Sequence, residues 1–570
     1  MHVHDAPTVL LTTFEEHPMT APTASPARPE RFIARFAAAL FGLLAVVGCG
    51  AEVVPTLDRG IAPLGGAAPA DRELVFSSAT SLAARIRERQ LTSVQVVQAF
   101  IRQIRAENGR WNAVVLLDAA GALQRAAEAD AALDRGELWG PLHGVPVTIK
   151  DSYSVAGLRT TAGHVPLADH VPTEDATEVA LLRDAGAVIL GKTNLAQLAM
   201  DMQTTNPLFG TTPNAWDPAR TSGGSSGGCA TALATGMTPL SLGSDLAGSV
   251  RLPAAFSGVY GFKPTHGVTS LRGHIPPLPG EIYGIRELAV AGPLARSIED
   301  LELAVRVLAR TRRTDSSARP IRPLESPPTH LGALRIAYTS ALGGAPVSVE
   351  SQRAIEAFVS KLRAAGAQVT RAEPVDLDYV RTWETWGALV GAQGGYERSN
   401  VARSFAEFFV GGQVAHLPMQ RRILGPITVP DHMAALSDQD RQVDALERFL
   451  ADYDAWIVPV ASTTAFPHHA PSDTYGTFNV YDDPIRVDGQ PVPYYVATQS
   501  YTTLFSVTGS PVVSMPVRHS AEGLPIGVQI VGRRAEDLRL LRVAALLDTV
   551  VERRPFPLER AEQTPDVARR

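Results

Sequence analysis

Residues 204–275 place the strongest constraint on how this chain can fold. Glycine, serine, threonine and proline are dense there, yet apolar residues continue through Val250 and beyond. A flexible linker of that composition would be polar throughout. Apolar edges set the stretch inside a folded domain, where glycine lets the backbone approach a ligand closely and take up positive φ.

The flanking text carries alternating helix and strand signals. Ser93 reads as an N-cap, with Val94, Val97, Phe100, Ile101 and Ile104 following at helical spacing. An alanine-rich helix is expected from Ala119 to Arg135, then a turn over Gly140–Pro146. Val147–Ile149 reads as a short buried strand with Lys150 and Asp151 at its C-terminal end. Thr177–Asp184 reads as a helix ended by Gly186, and Val188–Leu190 as the next strand. This alternation argues an α/β layered domain. Arg310–Thr329 is more linker-like, helix resumes at Val349–Ala365, and Leu504–Val531 reads as short strands between Gly and Pro turns. The segment 375–500 carries aromatics, including Trp383, Trp386, Phe408 and Phe409.

Bulk properties exclude several classes. A formal charge of −6 on 570 residues argues against a broad nucleic-acid surface. Two cysteines, Cys49 and Cys229, are too few for a disulfide framework or a cysteine-rich zinc site. The histidines form no HExxH, and the adjacent His468 and His469 read as surface residues, so no metal site is expected. Only four of the 52 basic residues are lysine, namely Lys150, Lys192, Lys263 and Lys361. In a chain that uses arginine for nearly every solvated charge, a lysine is informative, because it can lose its proton and arginine cannot.

The N-terminus reads as an address. Arg28, Arg31 and Arg35 precede an apolar run, Phe36–Gly48, too short for a membrane span of about 20 residues. A basic segment before a short apolar one resembles a secretion signal. The ending Val46-Val47-Gly48-Cys49 resembles a bacterial lipobox, which is cut before a lipid-modified cysteine. The expected organisation is a signal peptide over 1–48 (with Met19 as a possible true start), a tether over 49–72, a catalytic domain over 73–555 and a tail over 556–570. The protein would then be exported and anchored through Cys49 to a bacterial cell membrane. A plain signal peptide, or a buried apolar stretch after a misassigned start, are the competing readings.

Three short stretches hold the chemistry: Gly144–Asp151, Gly223–Gly228 and Gly243–Arg251. A serine is a weak nucleophile until a base takes its proton. Successive N–H groups in a glycine turn form a pocket for a negative oxygen, and Leu246–Ser249 has that character. Lys150 at a strand end can serve as the base if burial lowers its pKa; equally, it can be a structural partner of Asp151 or Asp245, and spacing does not decide between them. The Gly223–Gly228 run lacks the Lys-Ser/Thr ending of a phosphate-binding P-loop. Cys229 reads as a small buried hydrophobe, and Lys192 and Lys263 as structural residues near the site.

These stretches resemble the amidase-signature family. The resemblance rests on a lysine after a Gly-Val-Pro strand, the Gly-Gly-Ser-Ser-Gly-Gly loop and the Gly-Ser-Val-Arg turn. Flanking Thr160–Gly163, Asn206-Pro207, Gly261–Pro264 and Gly523–Gly527 agree, and the similarity runs from about residue 75 to 550. It implies one large α/β domain with a mixed, twisted central sheet flanked by helices. It implies Ser249 as nucleophile, Ser225 as a bridging serine held by a cis peptide after Gly224, and Lys150 as base. The N–H groups of Leu246, Ala247, Gly248 and Ser249 would form the oxyanion hole. Ser226, Ser244, Asp245 and Arg251 would support them, without metal or organic cofactor. The departures are Ala247 where glycine is commoner, Ser244 where threonine is common, and His164 where serine is usual. The implied activity is hydrolysis of a carboxamide through a seryl acyl-enzyme. The expected partner is a small amide, with no nucleic acid, and with membrane contact only through the lipid.

Three other readings compete. Gly223–Gly227 formally matches the G-x-S-x-G nucleophile elbow, but the text before it, Asn214–Thr221, is not a strand. A transamidating protein that works on mischarged tRNA shares the signature, as would a non-catalytic binding protein on the same scaffold. The family covers fatty, aryl and peptide amides, small diamides and cyclic oligomers, so the substrate is not legible. Segment 375–500 is expected to line the acyl pocket.

Overall fold

The computed structural model describes residues 57–58, 69–281, 287–310, 315, 318–324, 326–394, 425–475 and 478–559. The proposed signal, Cys49, Phe408 and Phe409 lie outside the described residues.

One twelve-stranded sheet organises them. In chain order its strands are β1 (Leu57–Asp58), β2 (Val114–Leu117), β3 (Pro146–Lys150), β4 (Val188–Thr193), β5 (Leu240–Asp245), β6 (Tyr260–Lys263), β7 (Val290–Ala295), β8 (Arg335–Tyr338), β9 (Gln368–Arg371), β10 (Ala455–Pro459), β11 (Val512–His519) and β12 (Pro525–Val531). In space they run β1-β2-β4-β3-β5-β7-β6-β11-β12-β10-β8-β9. Parallel pairs (β4 with β3, β3 with β5, β10 with β8) sit beside antiparallel ones (β5 with β7, β11 with β12), so the sheet is mixed as expected. The linker-like text near residue 320 does not divide it, because β7 before and β8 after belong to the same sheet.

Period-2 alternation shows that both faces are covered. Along β10, Ala455 and Ile457 join one apolar cluster while Trp456 and Val458 join another. The first cluster takes in the helices Ser93–Trp111, Val349–Ala364 and Asp537–Asp548; the second takes in Leu446 and Leu450 of the helix Val429–Leu450. Strands buried on both faces read as near-continuous apolar runs, which is why Val147–Ile149 and Val188–Leu190 are legible.

Two local readings need correction. The helix expected to be capped by Ser93 is capped by Thr92, whose side chain accepts from the Gln95 N–H in a capping box. Ser93 is the first helical residue, and its hydroxyl donates to the Gly144 carbonyl at 2.8 Å, a tertiary contact invisible in local sequence. Thr503–Val507 is a short helix, not strand; the two strands of that region begin at Val512 and Pro525.

Candidate active site

Parallel pairing of β3 with β5 creates the site. Thr148 lies opposite Ser241 and Ile149 opposite Leu242, so both C-terminal ends emerge on the same edge of the sheet. Ligand sites of α/β sheets gather at such ends. Lys150 ends β3, Ser244 and Asp245 end β5, and the Leu246–Ser249 turn follows directly into the helix Arg251–Ser257.

Lys150 is fully buried. Its Nζ lies 2.6 Å from Ser225 Oγ and 3.0 Å from Ser244 Oγ. The carboxylates that sequence offered as partners are engaged elsewhere: Asp151 with Lys192 at 2.9 Å, and Asp245 with Arg251 at 2.7 Å. Among the described residues no carboxylate forms an ion pair with Lys150. Burial pushes its pKa down to about 7, against the smaller upward pull of Cys229 and Asp245. Lys192 is held by Asp151, the Tyr153 carbonyl (2.8 Å) and Thr160 Oγ1 (2.7 Å). Lys263 Nζ donates to the Pro264 carbonyl at 3.0 Å. Cys229 is buried, with Sγ 3.0 Å from Thr193 Oγ1.

The Gly/Ser loop is glycine-rich because it is crowded. A Cβ on Gly224 would lie 2.6 Å from Asp201 O, Gln203 N and Met202 C. The Gly224–Ser225 peptide is cis. Ser225 is buried, and its carbonyl accepts from the Ala196 N–H at 3.2 Å. The next residue ties this loop to the turn: the Ser226 N–H donates to the Ser249 carbonyl at 3.2 Å, and Ser226 Oγ donates to the Ser244 carbonyl at 3.4 Å.

The turn is wrapped around Asp245. Its Oδ1 accepts from the Gly248 N–H at 2.8 Å, and its Oδ2 from the Val250 N–H at 3.1 Å and the Arg251 N–H at 3.3 Å. The Arg251 guanidinium adds Nε to Oδ2 at 2.9 Å and reaches the Thr502 carbonyl, Ser506 Oγ and Gln529 Oε1. Burial alone would raise the Asp245 carboxyl, but Arg251 first, with Lys263 and the Gly248 N–H, together outweigh it and hold it down at about 2. Gly248 has φ +117, a conformation that favours glycine. Of the four N–H groups expected at the oxyanion turn, that of Gly248 is thus committed to Asp245. Those of Leu246, Ala247 and Ser249 meet no acceptor among the described residues.

An apolar cluster closes on the turn. Leu246 and Ala247 pack with Met202, Trp386, Leu389, Phe466 and Tyr494. Trp386 Nε1 donates to the Leu246 carbonyl at 3.5 Å, which brings the 375–500 segment to the site. Two residues carry no signal in the sequence. Asp201 is buried and accepts from Asn479 Nδ2 (2.6 Å), Tyr494 (2.8 Å) and Tyr481, fastening that segment to the strip behind Gly224. His274 is buried with Nε2 2.9 Å from Ser244 Oγ. Neither belongs to a local pattern; only the folded chain brings them to the loops. Among the described residues no group of three His, Cys, Asp or Glu side chains is placed to hold a metal ion.

The model of the Amidase family matches residues 95–541. The chain belongs to the amidase-signature family. Members of this family hydrolyse amide C–N bonds, and the chain is an amidase by descent. An acylamidase of Rhodococcus erythropolis is 31% identical over 84% of this chain and 96% of its own length. One component of the glutamyl-tRNA(Gln) amidotransferase of Alkaliphilus metalliredigens is 31% identical over 80% of this chain and 93% of its own. A crystal structure of an amidase superposes with a TM-score of 0.67 at 28% identity, covering 84% of this chain and all of that one.

Proposed function

We propose that this amidase cleaves a carboxamide through a covalent acyl-enzyme at Ser249, with Ser225 relaying the proton to Lys150. The observation that carries it is Lys150: buried, without a carboxylate ion-pair partner among the described residues, near neutral pKa, and 2.6 Å from Ser225 Oγ. Neutral Lys150 takes the Ser225 proton as Ser225 takes that of Ser249. The Ser249 oxygen bonds to the carbonyl carbon, and the oxyanion is met by the N–H groups of Leu246, Ala247 and Ser249. Each such donor is worth about 10²–10³ in rate. The relay returns the proton to the leaving nitrogen as the C–N bond breaks. Water then attacks the ester, and Ser249 recovers its proton.

The apolar cluster beside Leu246 and Ala247 suits an apolar acyl or aryl group. A panel of aryl and aliphatic amides, with free glutamine as the ammonia-donor control, tests that preference against the transamidating alternative. Rapid quenching of the preferred amide should give a protein mass increase equal to its acyl group, mapped to the peptide containing Ser249. A label on any other residue, or turnover with no trapped adduct under conditions where deacylation is slowed, would count against the covalent route.

We further propose export and lipid attachment at Cys49, on the strength of the basic segment, the short apolar run and the lipobox-like ending. Among the described residues no helix is long and apolar enough to cross a membrane. Cys49→Ser should move the protein from the membrane to the soluble fraction. A variant that fractionates like the wild type would sink the anchor.

A further inference from the structure

We propose that His274 is a positioning residue that fixes, through the Ser244 hydroxyl, the direction in which Lys150 presents its lone pair to Ser225. The inference rests on the Ser249–Ser225–Lys150 reading above, and follows from counting protons along one chain of contacts.

His274 Nδ1 lies 3.3 Å from the Pro276 carbonyl, and its Nε2 lies 2.9 Å from Ser244 Oγ. A carbonyl only accepts, so the ring proton belongs on Nδ1, and Nε2 is left as an acceptor. Ser244 then donates its single proton to His274; the Tyr153 hydroxyl, which also approaches Ser244, gives its own proton to the Gly243 carbonyl. Its oxygen has only lone pairs left for Lys150 Nζ at 3.0 Å, so the lysine donates an N–H to it. A neutral amine has two N–H bonds and one lone pair. With an N–H drawn toward Ser244, the lone pair is free to face Ser225 Oγ at 2.6 Å and accept its proton. If Ser244 could turn its own proton toward Lys150, it would compete with Ser225 for that lone pair.

The surroundings hold the histidine in this role. The Tyr153 ring meets the imidazole edge-on at 4.7 Å, and the Tyr153 hydroxyl is anchored on the Gly243 carbonyl at 2.9 Å. The backbone N–H of His274 donates to the Leu271 carbonyl at 3.0 Å. Burial first, and the neighbouring Lys150 charge second, push the imidazole down to about 3, so it stays neutral and its Nε2 remains an acceptor at working pH.

The test is a double-mutant cycle with Ser244→Ala, read on the amide that the panel selects. His274 also lines a cavity of about 480 Å³, so leucine is preferred to alanine: a gap beside Ser244 would admit water able to replace the acceptor. General bases contribute about 10²–10⁴ in rate, and partial misdirection of one should cost about ten- to a hundredfold in kcat with KM within about twofold. In the Ser244→Ala background the same substitution should cost less than about twofold, because the hydroxyl through which it acts is gone. His274→Gln, whose side-chain oxygen can still accept, should recover most of the loss. A second readout needs no active variant. The ¹⁵N shifts of His274 in the wild-type enzyme, assigned by difference from His274→Gln, should report a neutral ring protonated at Nδ1. Multiplying losses in the cycle, no loss from His274→Leu, or a ring protonated at Nε2 would each overturn the proposal. Full activity in Lys150→Ala would instead overturn the Ser-Ser-Lys reading on which it stands.

Discussion

Replacing Lys150 by arginine is expected to be nearly as damaging as replacing it by alanine. If the lysine were a structural cation, arginine would preserve the charge and most of the length, and activity would largely survive. If it is a base, arginine fails, because a guanidinium does not give up its proton in a protein. The geometry favours the second case: both nearby carboxylates are occupied, Asp151 by Lys192 and Asp245 by Arg251. The expected loss in kcat/KM is about 10²–10⁴-fold for either variant, the usual contribution of a general base. The pH profile gives an independent check. A base at Lys150 works only when neutral, and burial brings the pKa of this lysine down to about 7. Protonation therefore inactivates, so log kcat/KM should rise with unit slope on the acid side, bend near pH 7 and level off above it. A profile flat from pH 5 to 9, or an arginine variant with near-normal turnover, would remove Lys150 from the chemistry.

Much of this site is legible because its parts are contiguous in sequence. The scarcity of lysine narrows the candidate bases to four, and Lys150 stands out among them by its place at the end of the Gly-Val-Pro strand. The Gly243–Arg251 turn reads as a unit because Asp245, Gly248 and Arg251 fasten one another within seven residues. What is not legible depends on chain that returns from far away. Spacing leaves Lys150 between two roles, and the decision requires Lys192 and Arg251 to be placed on the two aspartates. In sequence the turn reads as bare backbone, which makes Gly248 an open donor; its N–H is taken by a carboxylate three residues earlier. His274 carries no signal at all, since it reaches Ser244 only once β5 and the loop after β6 lie side by side. Ser93 loses the cap position for a similar reason: Thr92 caps locally, while the Ser93 hydroxyl is drawn to Gly144, 51 residues away.

Ser249→Ala should lower kcat further than any other single change, by a factor on the order of 10⁵–10⁶, the scale seen when a serine hydrolase loses its nucleophile. No neighbouring side chain can take over. Ser225 faces Lys150, and the Ser226 N–H is spent on the Ser249 carbonyl, so neither lies on the turn that carries the open N–H donors. Ser225→Ala should be severe but smaller, because Ser249 keeps its place and its oxyanion donors while losing only its path to the lysine. The two losses should not multiply. Once Ser249 is gone there is no proton to relay, so the double variant should match Ser249→Ala alone. Folding should survive both changes. Among the described residues the Ser225 side chain has one hydrogen bond, to Lys150, and the bond from Ala196 N–H runs to its backbone carbonyl. Thermal melting of each variant separates lost chemistry from lost structure. A double variant clearly weaker than Ser249→Ala would mean that Ser225 acts on residual turnover by some path other than the relay. Retention of more than about one per cent of wild-type kcat by Ser249→Ala would move the nucleophile elsewhere.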